Sequence, residues 1–84
     1  MVFTVYVLYS ETNNKYYTGY TTNLEIRLKS HNEFGKGWTL KYRPWRLIFR
    51  IDFDNKSAAM EYEAWLKTGV GRDFIKTINT KPGI

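Results

Sequence analysis

Residues 2–20 read VFTVYVLYSETNNKYYTGY. The first eight are β-branched or aromatic except Leu8, YYTGY at 16–20 is so except Gly19, and both runs therefore read as strands. Between them ETNNK supplies turn residues. A connection this short cannot hold a crossover, so the two strands form an antiparallel hairpin. That pairing decides the fold, because the rest of the chain must pack on it.

After the hairpin comes TTNLEIRLKSH. Thr22 followed by Glu25 is a capping-box pattern, so a helix is expected to begin near residue 22, with Leu24 and Leu28 as its apolar face. From Asn32 to Pro44 the periodicity dissolves. NEFGKGWTLKYRP holds two glycines and a proline and reads as a loop. In WRLIFRIDF, residues 45–53, Trp45, Leu47, Phe49, Ile51 and Phe53 recur at period two. This predicts a third strand with Arg46 and Arg50 on its other face. Asp54 or Asn55 should cap the next helix, which carries SAAMEYEAWLK at 57–67. Gly69 and Gly71 are candidate stops, and RDFIKTI forms a last short helix. The expected class is α+β, a three-stranded antiparallel sheet flanked by helices, in the order β-β-α-β-α-(α).

Composition narrows the function. The chain has 84 residues, which is one domain, with 43 % hydrophobic and 25 % charged residues, so it is globular rather than disordered. It has no cysteine, which removes disulfides and thiolate metal sites, and its single histidine cannot make a zinc site alone. No apolar run approaches a membrane span, and the N-terminus lacks a signal-peptide pattern. The expectation is a soluble, cytoplasmic protein without membrane contact. A net charge of +5 favours polyanionic partners.

Four groups could carry chemistry. In the second long helix Ala59, Tyr62, Leu66 and Val70 make an apolar stripe, and Glu63 lies inside it whereas Glu61 points away. An acid on that face needs a partner, and both Lys67 one turn on and a bound cation qualify. Arg27 and His31, four apart, share one side of the first helix, either as an amphipathic edge or as functional groups. Tyr6, Tyr9, Tyr16, Tyr17 and Tyr20 crowd the hairpin, and periodicity does not separate packing rings from functional ones. Lys36, Lys41, Arg43 and Arg46 interleave with Trp38, Tyr42 and Trp45. This pattern suits phosphates and stacked bases, or a solvated loop with its rings tucked beneath.

Taken together these groups resemble the GIY-YIG nuclease superfamily. TVY at 4–6 and YTG at 17–19 resemble its paired tripeptides, with Thr4 and Thr18 as departures. Arg27 follows Tyr17 by ten residues, as the superfamily's helix arginine does, and His31 comes four later. Glu63 opens an E-x-x-L-K stretch like that around the superfamily's metal-binding glutamate. KYRPW at 41–45 resembles the run before the third strand in small stand-alone bacterial members. Tyr20 stands where a lysine often follows the second tripeptide, and Asn79 is a shifted counterpart of a late asparagine. The resemblance spans nearly the whole chain, so residues 1–84 would be one nuclease domain.

It implies a metal-dependent DNA endonuclease of repair or recombination. Glu63 would hold Mg²⁺ or Mn²⁺. Tyr6 would be the general base, Arg27 the brace of the scissile phosphate, His31 the group that orients Tyr6 or takes its proton, and Tyr17 a support. Lys36, Trp38, Lys41, Arg43 and Arg46 would contact DNA. A protein partner for targeting would suit so small a domain. Two other readings stand beside this one: a nucleic-acid-binding module with no catalysis, and a structural domain in which Glu63 is only ion-paired.

Overall fold

The computed structural model describes residues 1–34 and 38–80. Lys36 lies outside the described residues, as does the side chain of Trp38. The hairpin forms as its sequence requires, with β1 at Phe3–Ser10 and β2 at Lys15–Thr21, antiparallel with Tyr6 opposite Gly19 and Leu8 opposite Tyr17. The turn closes at Asn14, whose φ of 52° is a left-handed conformation that asparagine tolerates. Tyr9 donates its hydroxyl to the Asn14 side chain at 3.0 Å.

A third strand, β3 at Arg46–Phe53, pairs antiparallel on the other side of β1, giving the order β2-β1-β3. β1 is therefore central, and Val5, Tyr6, Val7 and Leu8 are fully buried because both faces of the sheet are covered. One face packs Tyr6, Leu8 and Trp45 against Leu24 and Leu28. The other packs Val5 and Val7 against Ala59, Leu66 and Ile75.

The expected class and element order hold, and four local expectations are corrected. The first helix, α1 at Leu24–Lys29, starts one residue later than the capping box implies. Asn23 is its cap and accepts from the Ile26 N–H at 3.1 Å. Asparagine caps at least as well as threonine. With Asn23 as cap, Glu25 sits one residue short of the position a reciprocal box needs.

The predicted loop is partly helical. α1 runs into a π-helical turn, Ser30–Phe34, and a single turn, α2, spans Trp38–Lys41. Asn32 pins this region to the sheet by accepting from the Trp45 N–H at 2.6 Å and donating to the Trp45 carbonyl at 3.2 Å.

β3 does not keep one period. Its register against β1 shifts between Val7 and Leu8, so that Leu47 lies opposite Leu8 and Phe49 opposite Val7. The extra residue, Ile48, reverses the phase. Trp45 and Leu47 face α1, whereas Phe49, Ile51 and Phe53 join the opposite core. For the same reason Arg46 and Arg50 lie on opposite faces, across from Tyr9 and Tyr6.

The last correction concerns the end of the chain. α3 spans Lys56–Leu66 with Asn55 as its cap, and the Ala58 N–H donates to the Asn55 side chain at 2.8 Å. α4 then runs from Gly69 to Thr80, so Val70 belongs to a different helix and is 67 % exposed. Thr68 starts α4 by accepting from the Gly71 N–H at 3.2 Å through its hydroxyl.

Gly71 is not a stop. A side chain there would meet the Trp65 carbonyl oxygen and lie 2.5 Å from Leu66 Cα. Both obstacles are backbone and cannot swing aside. Gly71→Ala is expected to cost about 1–3 kcal/mol through overpacking, and a thermal melt reads this as roughly 4–8 °C for each kcal/mol in a domain of this size. An unchanged melting temperature would mean that the α3–α4 junction opens freely.

Candidate active site

Period-two alternation places Tyr6 of β1 and Tyr17 of β2 on the face that α1 covers. Tyr9, Tyr16 and Tyr20 fall on the other face, where Tyr16 and Tyr20 pack on the apolar core. The fold thus separates the hairpin tyrosines into two that face α1 and three that do not. The π-helical turn presents His31 to the same two. His31 is 5 % exposed and Tyr6 is 1 % exposed, and the Tyr6 hydroxyl lies 3.1 Å from His31 Nε2. The Tyr17 ring centroid is 4.5 Å from that of His31 and 6.3 Å from that of Tyr6.

Gly19 makes room for this cluster. A Cβ at Gly19 would come within 2.8 Å of the Tyr6 hydroxyl and 3.2 Å of the Tyr17 ring. The glycine of YTG is needed for the close approach of a functional side chain rather than for its backbone angles.

The electrostatics follow from burial. Loss of hydration lifts the Tyr6 phenol well above its ordinary value of 10, with Tyr17 and Glu63 adding to the rise and Arg27 opposing it. Burial, then the nearby Arg27 charge, lowers His31 from 6.5. Near neutral pH both groups of the pair are therefore uncharged. A neutral imidazole with its hydrogen on Nδ1 accepts the Tyr6 proton at Nε2.

This has a pH signature. A depressed histidine holds fewer protons folded than unfolded, so its stabilisation is complete above pH 6.5 and is lost as pH falls through its folded pKa. Asp52 is depressed too, first by the Thr4 hydroxyl and then by Arg50, but it acts only below 3.8. As this is the chain's only histidine, an NMR titration of the imidazole is unambiguous. A midpoint below 6.5 is expected, and one at or above 6.5 would contradict the buried, Arg27-facing environment.

Arg27 is exposed on α1, and its charge reaches both Tyr6 and His31. Glu63 comes from α3, beyond the opposite core, yet its charge is felt at Tyr6. Its side chain is 20 % exposed and its Oε2 is 3.4 Å from Lys67 Nζ. The structure thus holds the ion pair that the sequence offered as one alternative. Among the described residues no three histidine or acidic side chains converge on a point. Glu63 brings one carboxylate, and a single carboxylate fits a Mg²⁺-like ion that keeps waters and takes phosphate oxygens as further ligands.

The basic loop fares differently from the core of the site. Lys41 and Arg43 are exposed, and Lys41 lies over the Tyr42 ring at 5.5 Å. Arg46 pairs with Glu11 at 2.9 Å on the sheet face away from Tyr6. Trp45 and Tyr42 pack in the core under α1, and the Trp45 indole donates to the Thr39 carbonyl at 2.6 Å. Those two rings are structural. Sequence reasoning missed Arg50, which lies directly across from Tyr6 and holds Asp52 at 3.1 Å. It also missed the clearance role of Gly19. The strand register could have pointed to Arg50, but only once the bulge was known.

Asn79 donates to the Tyr16 hydroxyl at 3.2 Å, tying α4 to the side of β2 away from Tyr6.

The GIY-YIG catalytic domain profile matches residues 2–79. UPF0213 protein SH2523 of Staphylococcus haemolyticus is 41 % identical over 71 residues, covering 82 % of this chain and 85 % of that protein. UPF0213 protein YsiG of Lactococcus lactis is 51 % identical over 53 residues, 61 % of this chain and 50 % of that one, so the chain matches only half the length of the lactococcal relative. The solution NMR structure of the UPF0213 protein BH0048 from Bacillus halodurans superposes with a TM-score of 0.59 at 29 % identity, covering 98 % of this chain and 89 % of that one. With the profile matching nearly end to end and a relative 41 % identical over most of both chains, this chain belongs to the GIY-YIG catalytic domain family.

Proposed function

We propose that the chain is a divalent-metal-dependent endonuclease that hydrolyses DNA phosphodiester bonds, with Tyr6, Tyr17, Arg27, His31 and Glu63 as its working groups. The observation that carries this reading is the buried contact between the Tyr6 hydroxyl and His31 Nε2 at 3.1 Å. A phenol raised by burial is no base by itself. Beside a neutral imidazole it becomes one, because its own proton can leave as another arrives.

Water gives a proton to the Tyr6 oxygen while the Tyr6 proton passes to His31 Nε2. The resulting hydroxide attacks phosphorus, the phosphorus–oxygen bond to the leaving nucleotide breaks, and the leaving oxygen takes a proton from water as His31 returns its own to solvent. Arg27, exposed beside the pair, clamps the phosphate through its planar fork. Its positive charge also stabilises the anionic form of Tyr6. Tyr17 holds the His31 ring in place. Glu63 would hold Mg²⁺ or Mn²⁺, which when bound supplies charge stabilisation at the phosphate and the leaving oxygen. Lys41 and Arg43, with Lys36, would bind flanking phosphates, and the activity would serve DNA repair or recombination.

One observation favours a second reading. The Glu63–Lys67 ion pair leaves Glu63 partnered without a metal, as in a nucleic-acid-binding domain that does not cut. Purified protein incubated with duplex, single-stranded, nicked and branched DNA, in Mn²⁺ and in EDTA, separates the two. Cleavage in Mn²⁺ that EDTA abolishes is the expected result. Salt-sensitive binding with no product in any arm would establish the second reading.

A further inference from the structure

The groove between β2 and the helices α3 and α4 has a volume of about 590 Å³ and lies on the α3–α4 side of the sheet, with Tyr17 of the site among the residues that line it. Leu66 and Ile75 line it, both buried core residues. Lys15, Lys67, Arg72 and Lys76 line it as well, and among the described residues no carboxylate does. Arg72 and Lys76 are four apart on α4 and so lie one above the other on one helix face, a like-charge spacing that is unfavourable by itself. Lys67 is paired with Glu63 at 3.4 Å, so the groove's phosphate-binding capacity is carried by Lys15, Arg72 and Lys76, whose positive charges around a concave surface favour a polyanion. β2 is also one of the two edge strands, and it carries Tyr17 and Gly19 of the site.

We propose that this groove is the track for the nucleic-acid backbone on one side of the scissile bond, with Lys15, Arg72 and Lys76 holding successive phosphates. The proposal rests on the nuclease reading and adds a binding surface separate from the loop at 36–46. It explains why basic residues recur at the end of the chain, far in sequence from the catalytic tyrosines.

The test uses a short fluorescein-labelled DNA duplex, anisotropy in EDTA so that nothing is cut, and a salt series. Neutralising two phosphate contacts with Arg72→Gln/Lys76→Gln is expected to make the slope of log affinity against log salt shallower by about 1.8, at ~0.9 per contact. The charge-preserving Arg72→Lys/Lys76→Arg should keep the wild-type slope. Lys56→Gln, at the start of α3 and outside the groove, should do the same. A wild-type slope in Arg72→Gln/Lys76→Gln, while the wild-type protein binds and cuts DNA, overturns the groove and spares the nuclease. A wild-type protein that neither cuts nor binds DNA with salt-dependent affinity overturns both.

Discussion

Glu63→Gln should abolish cleavage and leave DNA binding intact or slightly tighter, since the substitution keeps the size of the side chain and removes a negative charge near the phosphates. The structure also bounds what happens to stability. The substitution breaks the ion pair with Lys67 at 3.4 Å, and the Lys67 side chain is 54 % exposed. Pairs of this kind contribute at most about 1 kcal/mol. Burial of the Glu63 charge works in the opposite direction, so the melting temperature of the apo protein should stay near that of wild type or rise a little. Glu61, exposed on the same helix, is the control, and Glu61→Gln should change neither cleavage nor stability. If Glu63 were only structural, Glu63→Gln would lower the melting temperature and Mn²⁺ would have no specific effect. Thermal melts and a Mn²⁺ titration followed by NMR decide between them. Paramagnetic broadening centred on residue 63 in wild type and absent in Glu63→Gln is the expected pattern. A destabilised variant beside a wild-type spectrum that Mn²⁺ leaves sharp would sink the metal assignment.

Tyr6→Phe should lower kcat by a factor on the order of 10² to 10⁴, the usual contribution of a general acid–base group, with little change in KM. The ring stays, and with it the packing on Leu8 and Trp45. The hydroxyl goes, and His31 Nε2, on a residue 5 % exposed, is left without the donor that faces it. An orphaned buried acceptor costs about 1–3 kcal/mol, so Tyr6→Phe should melt lower than wild type while remaining folded. A second readout separates chemistry from stability. The His31 titration should shift in Tyr6→Phe, because the imidazole loses its hydrogen-bonded neighbour. Full cleavage activity in the Phe variant would remove Tyr6 from the mechanism.

These two residues show how unevenly the site could be read. Glu63 was visible from the sequence because a helix repeats every 3.6 residues, and an acid on the apolar stripe breaks a pattern that can be counted. Tyr6 could be singled out only by resemblance, because five tyrosines share the hairpin. The register against β2 and the arrival of the π-helical turn together select Tyr6 and Tyr17. The basic loop was legible as charge and rings, but which rings support the fold depended on Asn32 reaching Trp45. The groove cations were not legible at all, since Lys15 and Lys76 are 61 residues apart in the chain and meet only when α4 folds back along β2.

What the sequence determined by itself is what neighbours in the chain decide. The hairpin follows from β-branched and aromatic runs flanking ETNNK, and the start of α3 from a cap at Asp54 or Asn55, of which Asn55 takes the amide three residues on. Each depends on contacts within a few residues, where spacing and chemistry are written in order. The tertiary structure alone decided the rest. Ile48 reverses the phase of β3 only because β1 runs beside it, and so sends Arg46 and Arg50 to opposite faces. Thr68 ends one helix and begins another only because Gly71 lets α4 come against the backbone of α3. Tyr6, 25 residues from His31, is lifted and hydrogen-bonded only in a space that the fold encloses. Burial and convergence are properties of the packed chain, and no local pattern encodes which distant groups will share a site from which water is excluded.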